Sequence, residues 1–235
     1  IKIKESANDG IHANDAIYIR GGVLDITSRG DAIQNENLPI HISGGKITAE
    51  TSGAKSNGIY SAGPTKISNN PEINIITRGD GAKGIKSRGI LSIEGGATDI
   101  KTYGAEHIDT GVSPPDSNSA TGIKAHDDME IKGGTLKVES WGSKIKGMSI
   151  DGNFEMSAGN LNIRANDDGM KVHGNLLISG GTVNISSERR DGIDCNKDIT
   201  ITGGSVTLTV GQNRQGINCS GKENITPGIV KNSGF

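Results

Sequence analysis

The chain has 235 residues, of which 36 are glycine, while aromatic residues make up only 3% of the sequence and the formal net charge is −2. A chain of this length holds one large domain or two small ones, and a core with so few aromatic residues must be narrow and filled by branched aliphatic side chains. The near-neutral charge gives no overall attraction to nucleic acid or to an anionic membrane. No apolar run reaches the length of a membrane span. We therefore expect neither nucleic-acid binding nor a transmembrane segment.

A degenerate repeat runs through the chain. Gly-Ile or a close equivalent recurs every 22 to 26 residues, apart from one interval of 38, and a Gly-Gly or similar pair follows each occurrence about a dozen residues later. The Gly-Ile pairs begin at Gly10, Ala32, Gly58, Gly84, Gly122, Gly147, Gly169, Gly192 and Gly216. Between these markers run short alternating stretches such as Ile40-His41-Ile42, which are typical of strands with one buried face.

The repeat predicts a stacked β-structure. A unit of two or three short strands cannot bury its apolar face alone, whereas copies stacked in register form isoleucine ladders inside and polar ladders outside. We therefore predict an all-β fold, a single right-handed parallel β-helix of about nine coils that occupies residues 1–235. An antiparallel sandwich is the less favoured alternative, because it would place hairpin dipeptides between strands and show no fixed repeat.

Two segments depart from the repeat. Residues 103–120 account for the long interval, and their consecutive prolines cannot continue a buried strand, so we expect a surface loop half-way along the rod. The loop is either a tolerated insertion or one wall of a binding face. Residues 225–235 are expected to form a C-terminal cap or tail, with Ile229, Val230 and Phe235 folded over the last coil.

Outward positions on either side of the Gly-Ile pairs become neighbours in space when the coils stack. In the middle coils these positions hold the lysines that we call the basic strip: Lys83, Lys86, Lys124, Lys146 and Lys171. We expect the side chains of Lys86 and Lys124 to bury little surface. A basic centre on a nearly neutral protein suits an anionic chain such as a uronic-acid polysaccharide. The alternative is a solvated face whose charges compensate one another, since Lys171 lies close to Asp168 and Asp194 in this arrangement.

Carboxylates gather near the C-terminal end of the strip. Adjacent coils contribute Asp167, Asp168, Asp191 and Asp194, and Asp9 with Asp31 forms a second, poorer cluster. Hard oxygen donors of this kind suit Ca²⁺, which takes six to eight oxygen ligands. The spacing matches neither an EF-hand nor the glycine-rich calcium repeats. Asp-Gly is also ordinary turn chemistry, so a purely structural role is the alternative.

Other chemistries have less support in the sequence. The five histidines are dispersed without ligand spacing, and no serine sits in a nucleophile elbow, so we expect neither a zinc site nor a serine nucleophile. Cys195 and Cys219 occupy one inward column of neighbouring coils. Their expected Cα separation would permit a disulfide, but parallel side chains hold the Cβ atoms slightly too far apart. We therefore favour two free thiols that act as small apolar residues.

Several motifs resemble a known family. They are Asn8-Asp9-Gly10-Ile11-His12-Ala13, Asp167-Asp168-Gly169-Met170-Lys171, Leu177-Ile178-Ser179-Gly180-Gly181-Thr182-Val183-Asn184-Ile185 and Arg190-Asp191-Gly192-Ile193-Asp194. They look like the carbohydrate-binding-domain family of secreted bacterial β-helix proteins, which includes adhesins and resembles pectate lyases in architecture. The likeness covers the chain outside residues 103–120 and the C-terminal tail.

The resemblance implies binding of acidic polysaccharide, a secreted or cell-surface location, and calcium held at Asp-Gly-Ile corners, without established catalysis. The best matches to those corners are Asp9, Asp168, Asp191 and Asp194. The chain departs from the pattern at Ala32, Asn57, Lys83 and Lys146, so the resemblance does not extend calcium to the middle coils, where lysines take the place of bridging metal. A leader and an anchor are expected to lie outside this sequence.

Three functions remain open. The favoured one is a non-catalytic carbohydrate-binding protein or adhesin. The second is a polysaccharide lyase, which needs a base for the proton alpha to the uronate carboxylate and a cation to neutralise that carboxylate. Lys124 with Lys86 or Arg88 is the best pair, although an acidic calcium cage beside it is missing. The third is a structural spacer.

Overall fold

The computed structural model describes residues 1–113 and 115–234, and within these ranges the chain forms 28 strands and no helix. The first half contains β1 (Lys2–Ser6), β2 (Ile11–Ala13), β3 (Ile17–Ser28), β4 (Ile33–Asn35), β5 (Ile40–Thr51), β6 (Ile59–Ser61), β7 (Thr65–Ile67), β8 (Glu72–Thr77), β9 (Lys83–Ser87), β10 (Leu91–Ile93), β11 (Ala97–Thr102), β12 (Glu106–Asp109) and β13 (Asp116–Ser119). The second half contains β14 (Thr121–Ala125), β15 (Met129–Ile131), β16 (Thr135–Ser140), β17 (Lys146–Ile150), β18 (Phe154–Met156), β19 (Asn160–Ala165), β20 (Met170–Val172), β21 (Leu176–Ile178), β22 (Thr182–Ser187), β23 (Ile193–Cys195), β24 (Ile199–Ile201), β25 (Ser205–Val210), β26 (Ile217–Cys219), β27 (Glu223–Ile225) and β28 (Val230–Gly234).

Each coil consists of three parallel strands that pair with the same strands of the coils before and after. The strands at the Gly-Ile pairs build a sheet that has nine strands among the described residues, which we call the short-strand sheet. The other two strands of each coil share a second sheet, because β3 and β5 run without a break through their Gly-Gly corners. The prediction of a parallel β-helix of about nine coils is confirmed.

The core is a set of aliphatic ladders. Alternate residues of the strands in the stacked coils point inward. Ile33 pairs in register with Ile59, and Ile59 with Ile85, along the short-strand sheet. All three are fully buried. This period-two alternation lets three-residue strands bury two side chains each. Phe154 is the largest fully buried side chain among the described residues, as expected of a narrow interior.

The glycine of the Gly-Ile pair is needed because the coils approach closely at this corner. A Cβ on Gly84 would lie 2.1 Å from Cγ2 of Ile100 and 2.6 Å from the carbonyl oxygen of Gly122 in the next coil. Both distances are well below van der Waals contact. The repeat therefore carries glycine here for lack of space, and the outward residues on either side of it are fixed in register.

The insertion folds as an antiparallel hairpin rather than as an irregular loop. Strands β12 and β13 pair from Glu106 with Ser119 to Asp109 with Asp116. At the C-terminal end, β28 pairs in parallel with β25, and Ile229 and Val230 pack against the core, so these residues continue the stack of coils. Phe235, which we predicted to join them, lies outside the described residues.

Candidate functional site

The basic strip lines one groove on the short-strand sheet. Register pairs Lys86 with Lys124, Lys124 with Ser149, and Ser149 with Lys171. The groove has a volume of about 510 Å³. Its lining consists of Lys83, Lys86, Ser117, Asn118, Ser119, Thr121, Lys124, His126, Lys146, Ser149, Asp168, Lys171, His173, Arg190 and Asp194. All five predicted lysines are thus brought together, as the repeat spacing requires.

The hairpin forms one wall of this groove. Residues 117–119 of β13 face it, and the Lys83 ammonium group donates hydrogen bonds to the Asn118 side-chain oxygen and, at 2.7 Å, to the Gly81 carbonyl. An ion pair of 3.2 Å between Lys55 and Asp109 ties the other strand of the hairpin to an earlier coil. The insertion therefore shapes the groove.

Two lysines next to the hairpin carry perturbed ammonium groups. Lys83 is 5% exposed, and burial, followed by repulsion from Lys86, Lys124 and Lys55, lowers its pKa to about 8. Burial, followed by repulsion from Arg88, lowers the pKa of Lys86 as well. The Lys86 Nζ atom lies 5.2 Å from the centroid of the Tyr60 ring, within cation–π range. Positive charge is crowded at this end of the groove.

The other three lysines have acidic partners. Lys124 pairs with Asp151 and donates to the Ser149 hydroxyl at 3.3 Å. Lys146 lies 3.2 Å from a carboxylate oxygen of Asp167. Lys171 lies 2.6 Å from Asp194, as the compensated-face alternative predicted. In the described part of the chain, neither Lys83 nor Lys86 has a carboxylate within ion-pair distance. The net positive charge is therefore concentrated at the hairpin end.

Four of the five carboxylates predicted as calcium ligands accept hydrogen bonds from the protein itself. Oδ1 of Asp9 accepts the N–H of Asp31 at 2.7 Å, and Oδ1 of Asp191 accepts the N–H of Gln215 at 2.9 Å, each from the following coil. Asp167 accepts from Arg190 Nε at 3.0 Å. Over residues 1–113 and 115–234, no three His, Cys, Asp or Glu side chains are grouped to hold a metal ion. These contacts fit the structural role of Asp-Gly corners, and calcium binding stays a prediction.

Asp168 differs from the other corner acids. It is 3% exposed, lies in the wall of the groove, and makes no hydrogen bond through its side chain to any described residue. Burial, followed by repulsion from Asp167, raises its pKa to about 6, although Lys146 Nζ stands 3.9 Å away. The charged form of Asp168 is therefore less favourable than in an exposed aspartate, although it still predominates at neutral pH.

Sequence reasoning missed several groove residues. Arg190 and His173 do not lie at the positions that directly flank the Gly-Ile pairs, and Asn118 comes from the insertion. Arg190 lies two residues before Gly192, next to Asp191. A comparison of the residues two positions before each Gly-Ile pair would therefore have included it. Asn118 carried no signal, because its position depends on how the hairpin folds back.

Cys195 and Cys219 are register partners in β23 and β26, and both are free thiols. The Cys195 thiol donates to the Gly174 carbonyl at 3.3 Å, and burial raises its pKa. The preference for two thiols over a disulfide is confirmed, although Cys219 is only partly buried. In the described chain, no helix is long and apolar enough to cross a membrane.

A family model described as carbohydrate-binding domain-containing protein matches the chain twice, over residues 1–114 and 114–232. The chain belongs to the carbohydrate-binding domain-containing family. The two matches together cover nearly the whole β-helix, so both halves carry the family pattern. Searches of curated proteins and of solved structures found no match. Family membership assigns a carbohydrate-binding role to this protein, and the predicted family is confirmed.

Proposed function

We propose that the groove binds an acidic, uronic-acid polysaccharide without cleaving it, and that the protein acts as an adhesin that is secreted or held at the cell surface. The observation that carries the proposal is the crowding of ammonium groups in one groove of a carbohydrate-binding protein. Burial, followed by repulsion from neighbouring cations, lowers the pKa of both Lys83 and Lys86. An anionic ligand in the groove would relieve that repulsion.

The uronate carboxylate is expected to bind at Lys86. Lys124 and Lys171 are paired with Asp151 and Asp194, whereas the Lys86 ammonium group lies 5.2 Å from the Tyr60 ring and, among the described residues, has no carboxylate within ion-pair distance. A carboxylate there would form a charge-assisted hydrogen bond, which is about twice as strong as a neutral one. Hydroxyl groups of the same chain would meet the Ser and Asn side chains of the hairpin wall.

The test is titration of the protein with polygalacturonate at increasing salt concentration. Attraction between exposed charges is screened over about 8 Å at physiological ionic strength, so affinity should fall steeply with salt. Lys86→Gln should weaken binding about tenfold or more, because hydrogen bonds to charged groups contribute about 1.5–3 kcal/mol. The matched control is Lys4→Gln, which removes an exposed lysine outside the groove. Unchanged affinity in Lys86→Gln, or affinity independent of salt, would contradict the proposal.

We predict that a bound calcium ion assists polysaccharide binding. The predicted ligands are Asp9, Asp167, Asp168, Asp191 and Asp194. The contacts of Asp9 and Asp191 with backbone N–H groups argue for structural corners. Binding of polygalacturonate with and without a calcium chelator separates the two roles. Loss of affinity in the chelator would support a bound ion, while equal affinity would leave the corners purely structural.

A polysaccharide lyase is the second candidate function, and the buried Lys83 is the observation that favours it. A general base works best when its pKa lies near the operating pH, and the Lys83 pKa is about 8. Lys86 and Lys124 would then neutralise the uronate carboxylate. Incubation with polygalacturonate, followed by the ultraviolet absorbance of unsaturated sugar, tests this function. If the natural protein forms this product and Lys83→Met does not, the protein is a lyase and the proposal of binding without cleavage is wrong. If no product forms, the proposal of binding without cleavage stands.

A further inference from the structure

A second depression lies on the other sheet, where β16, β19, β22 and β25 run side by side. It has a volume of about 250 Å³. Two columns of outward side chains cross it in register, one of Lys137, Asn162, Asn184 and Thr207 and one of Glu139, Arg164, Ser186 and Thr209. Neighbouring members of each column stand about 4.8 Å apart, which is the spacing between strands. We call this surface the amide face.

The amide face carries no excess charge, in contrast to the groove. Lys137 Nζ lies 2.9 Å from Glu139 and 3.8 Å from Asp99, and Arg164 pairs with Glu188 at 3.2 Å. Each cation on this face is thus matched by a carboxylate. A polyanion would gain nothing here from charge, whereas an uncharged ligand with many hydroxyl groups would find donors and acceptors of both kinds.

The centre of the face offers amide groups. The Asn184 Nδ2 atom donates to Asn162 Oδ1 at 3.0 Å. The other two side-chain atoms of this pair, Asn184 Oδ1 and Asn162 Nδ2, make no hydrogen bond to a described residue. Asn184 is exposed. An acceptor and a donor are therefore presented one coil apart, which suits successive hydroxyl groups along a sugar chain.

An aromatic ring stands at the edge of the amide face. Trp141, the one tryptophan in the sequence, is 43% exposed, and the Arg164 guanidinium carbon lies 4.3 Å from its ring centroid. One coil earlier, Tyr103 is 44% exposed and has Arg78 at 5.4 Å. Glu188 and Glu50 hold these two arginines in turn. The rings are thus fixed in place, and large exposed aromatic rings held rigidly are characteristic of binding sites.

We propose that the amide face is a second carbohydrate site, which takes an uncharged hexose chain. The apolar face of one sugar ring packs on Trp141, and hydroxyl groups of that ring and its neighbours bond to Arg164, Asn162 and Asn184. The occupant follows from the balanced charge, the amide pair and the aromatic wall, in a protein whose family binds carbohydrate. This inference does not depend on the acidic specificity proposed for the groove.

The experiment uses the fluorescence of Trp141, which reports on this site alone because the chain has one tryptophan. The natural protein is titrated with two uncharged polysaccharides, hydroxyethylcellulose and galactomannan. A saturable change of tryptophan emission is expected with at least one of them. In affinity electrophoresis, Trp141→Ala should lose at least tenfold in affinity for that chain and Asn184→Ala several-fold. Tyr18→Ala, which removes an exposed aromatic ring elsewhere, should bind normally.

Two outcomes would overturn the inference. One is no binding of either uncharged chain, and the other is undiminished binding by Trp141→Ala and Asn184→Ala when their melting temperatures are unchanged. The groove is tested separately by Lys86→Gln with polygalacturonate. A loss confined to polygalacturonate and Lys86→Gln concerns the groove, whereas a loss confined to uncharged chains and Trp141→Ala concerns the amide face.

Discussion

Replacement of Asp168 by Asn tests how much the buried charge of Asp168 lowers the stability of the folded protein. Asp168 is 3% exposed and has a pKa of about 6, against an ordinary value of 3.8, because burial and the nearby Asp167 disfavour its charged form. Lys146, Arg190 and Lys171 face it from neighbouring positions of the groove, together with Asp194 and His173. Asn has almost the same shape as the protonated carboxyl group and never becomes charged.

The expected magnitude follows from the two pKa values. A folded-state pKa raised by about two corresponds to roughly 3 kcal/mol of differential free energy. The folded state keeps a proton that the unfolded state releases near pH 4. The stabilisation from Asp168 is therefore full below pH 4 and is lost as the pH rises to about 6, above which the loss is constant. Asp168→Asn should raise the free energy of unfolding at pH 8 by up to about 3 kcal/mol, with little difference near pH 4.

Denaturant unfolding of the natural protein and the variant at several pH values between 4 and 8 measures this difference. Asp31 has a similarly raised pKa of about 6, but it is present in both proteins and cancels. Asp191→Asn is the matched control, since Asp191 occupies the equivalent corner one coil later and Asn can still accept the N–H of Gln215. An Asp168→Asn variant that is no more stable at pH 8, or whose advantage does not depend on pH, would refute the reasoning.

Three further predictions concern the fold. Lys83→Gln should loosen the hairpin, because the Lys83 ammonium group joins the hairpin to the coil. It should speed proteolysis of residues 106–119 and lower the free energy of unfolding by about 1–3 kcal/mol. Gly84→Ala should destabilise the protein by about 1–3 kcal/mol in thermal unfolding, whereas Gly21→Ala, with no neighbour within 4 Å, should not. Cys195→Ala and Cys219→Ala should each keep a cooperative melt, with equal curves under reducing and oxidising conditions; a melt that depends on reductant would contradict this.

The repeat in the sequence was enough to predict the architecture and the position of the lysines on one face. In a solenoid, equal spacing along the chain becomes adjacency between coils, so the repeat alone placed Lys86 next to Lys124 and Cys195 next to Cys219. The sequence also determined which side chains point inward, because strand alternation has a period of two. These are local rules, and no knowledge of distant contacts is needed to apply them.

How those neighbours interact depends on the three-dimensional packing of the coils. The expectation that Lys86 and Lys124 bury little surface is wrong for Lys124, whose side chain is only 17% exposed. Lys83 is buried because the insertion folds back as a hairpin and covers it. The path of each corner in three dimensions decides which acids accept a hydrogen bond, as Asp191 does, and which are buried without one among the described residues, as Asp168 is. The amide face escaped notice because its charges and its aromatic ring lie in positions between the repeat markers. Burial and side-chain direction depend on the packing of all neighbouring coils at once, and a column of residue types does not contain that information.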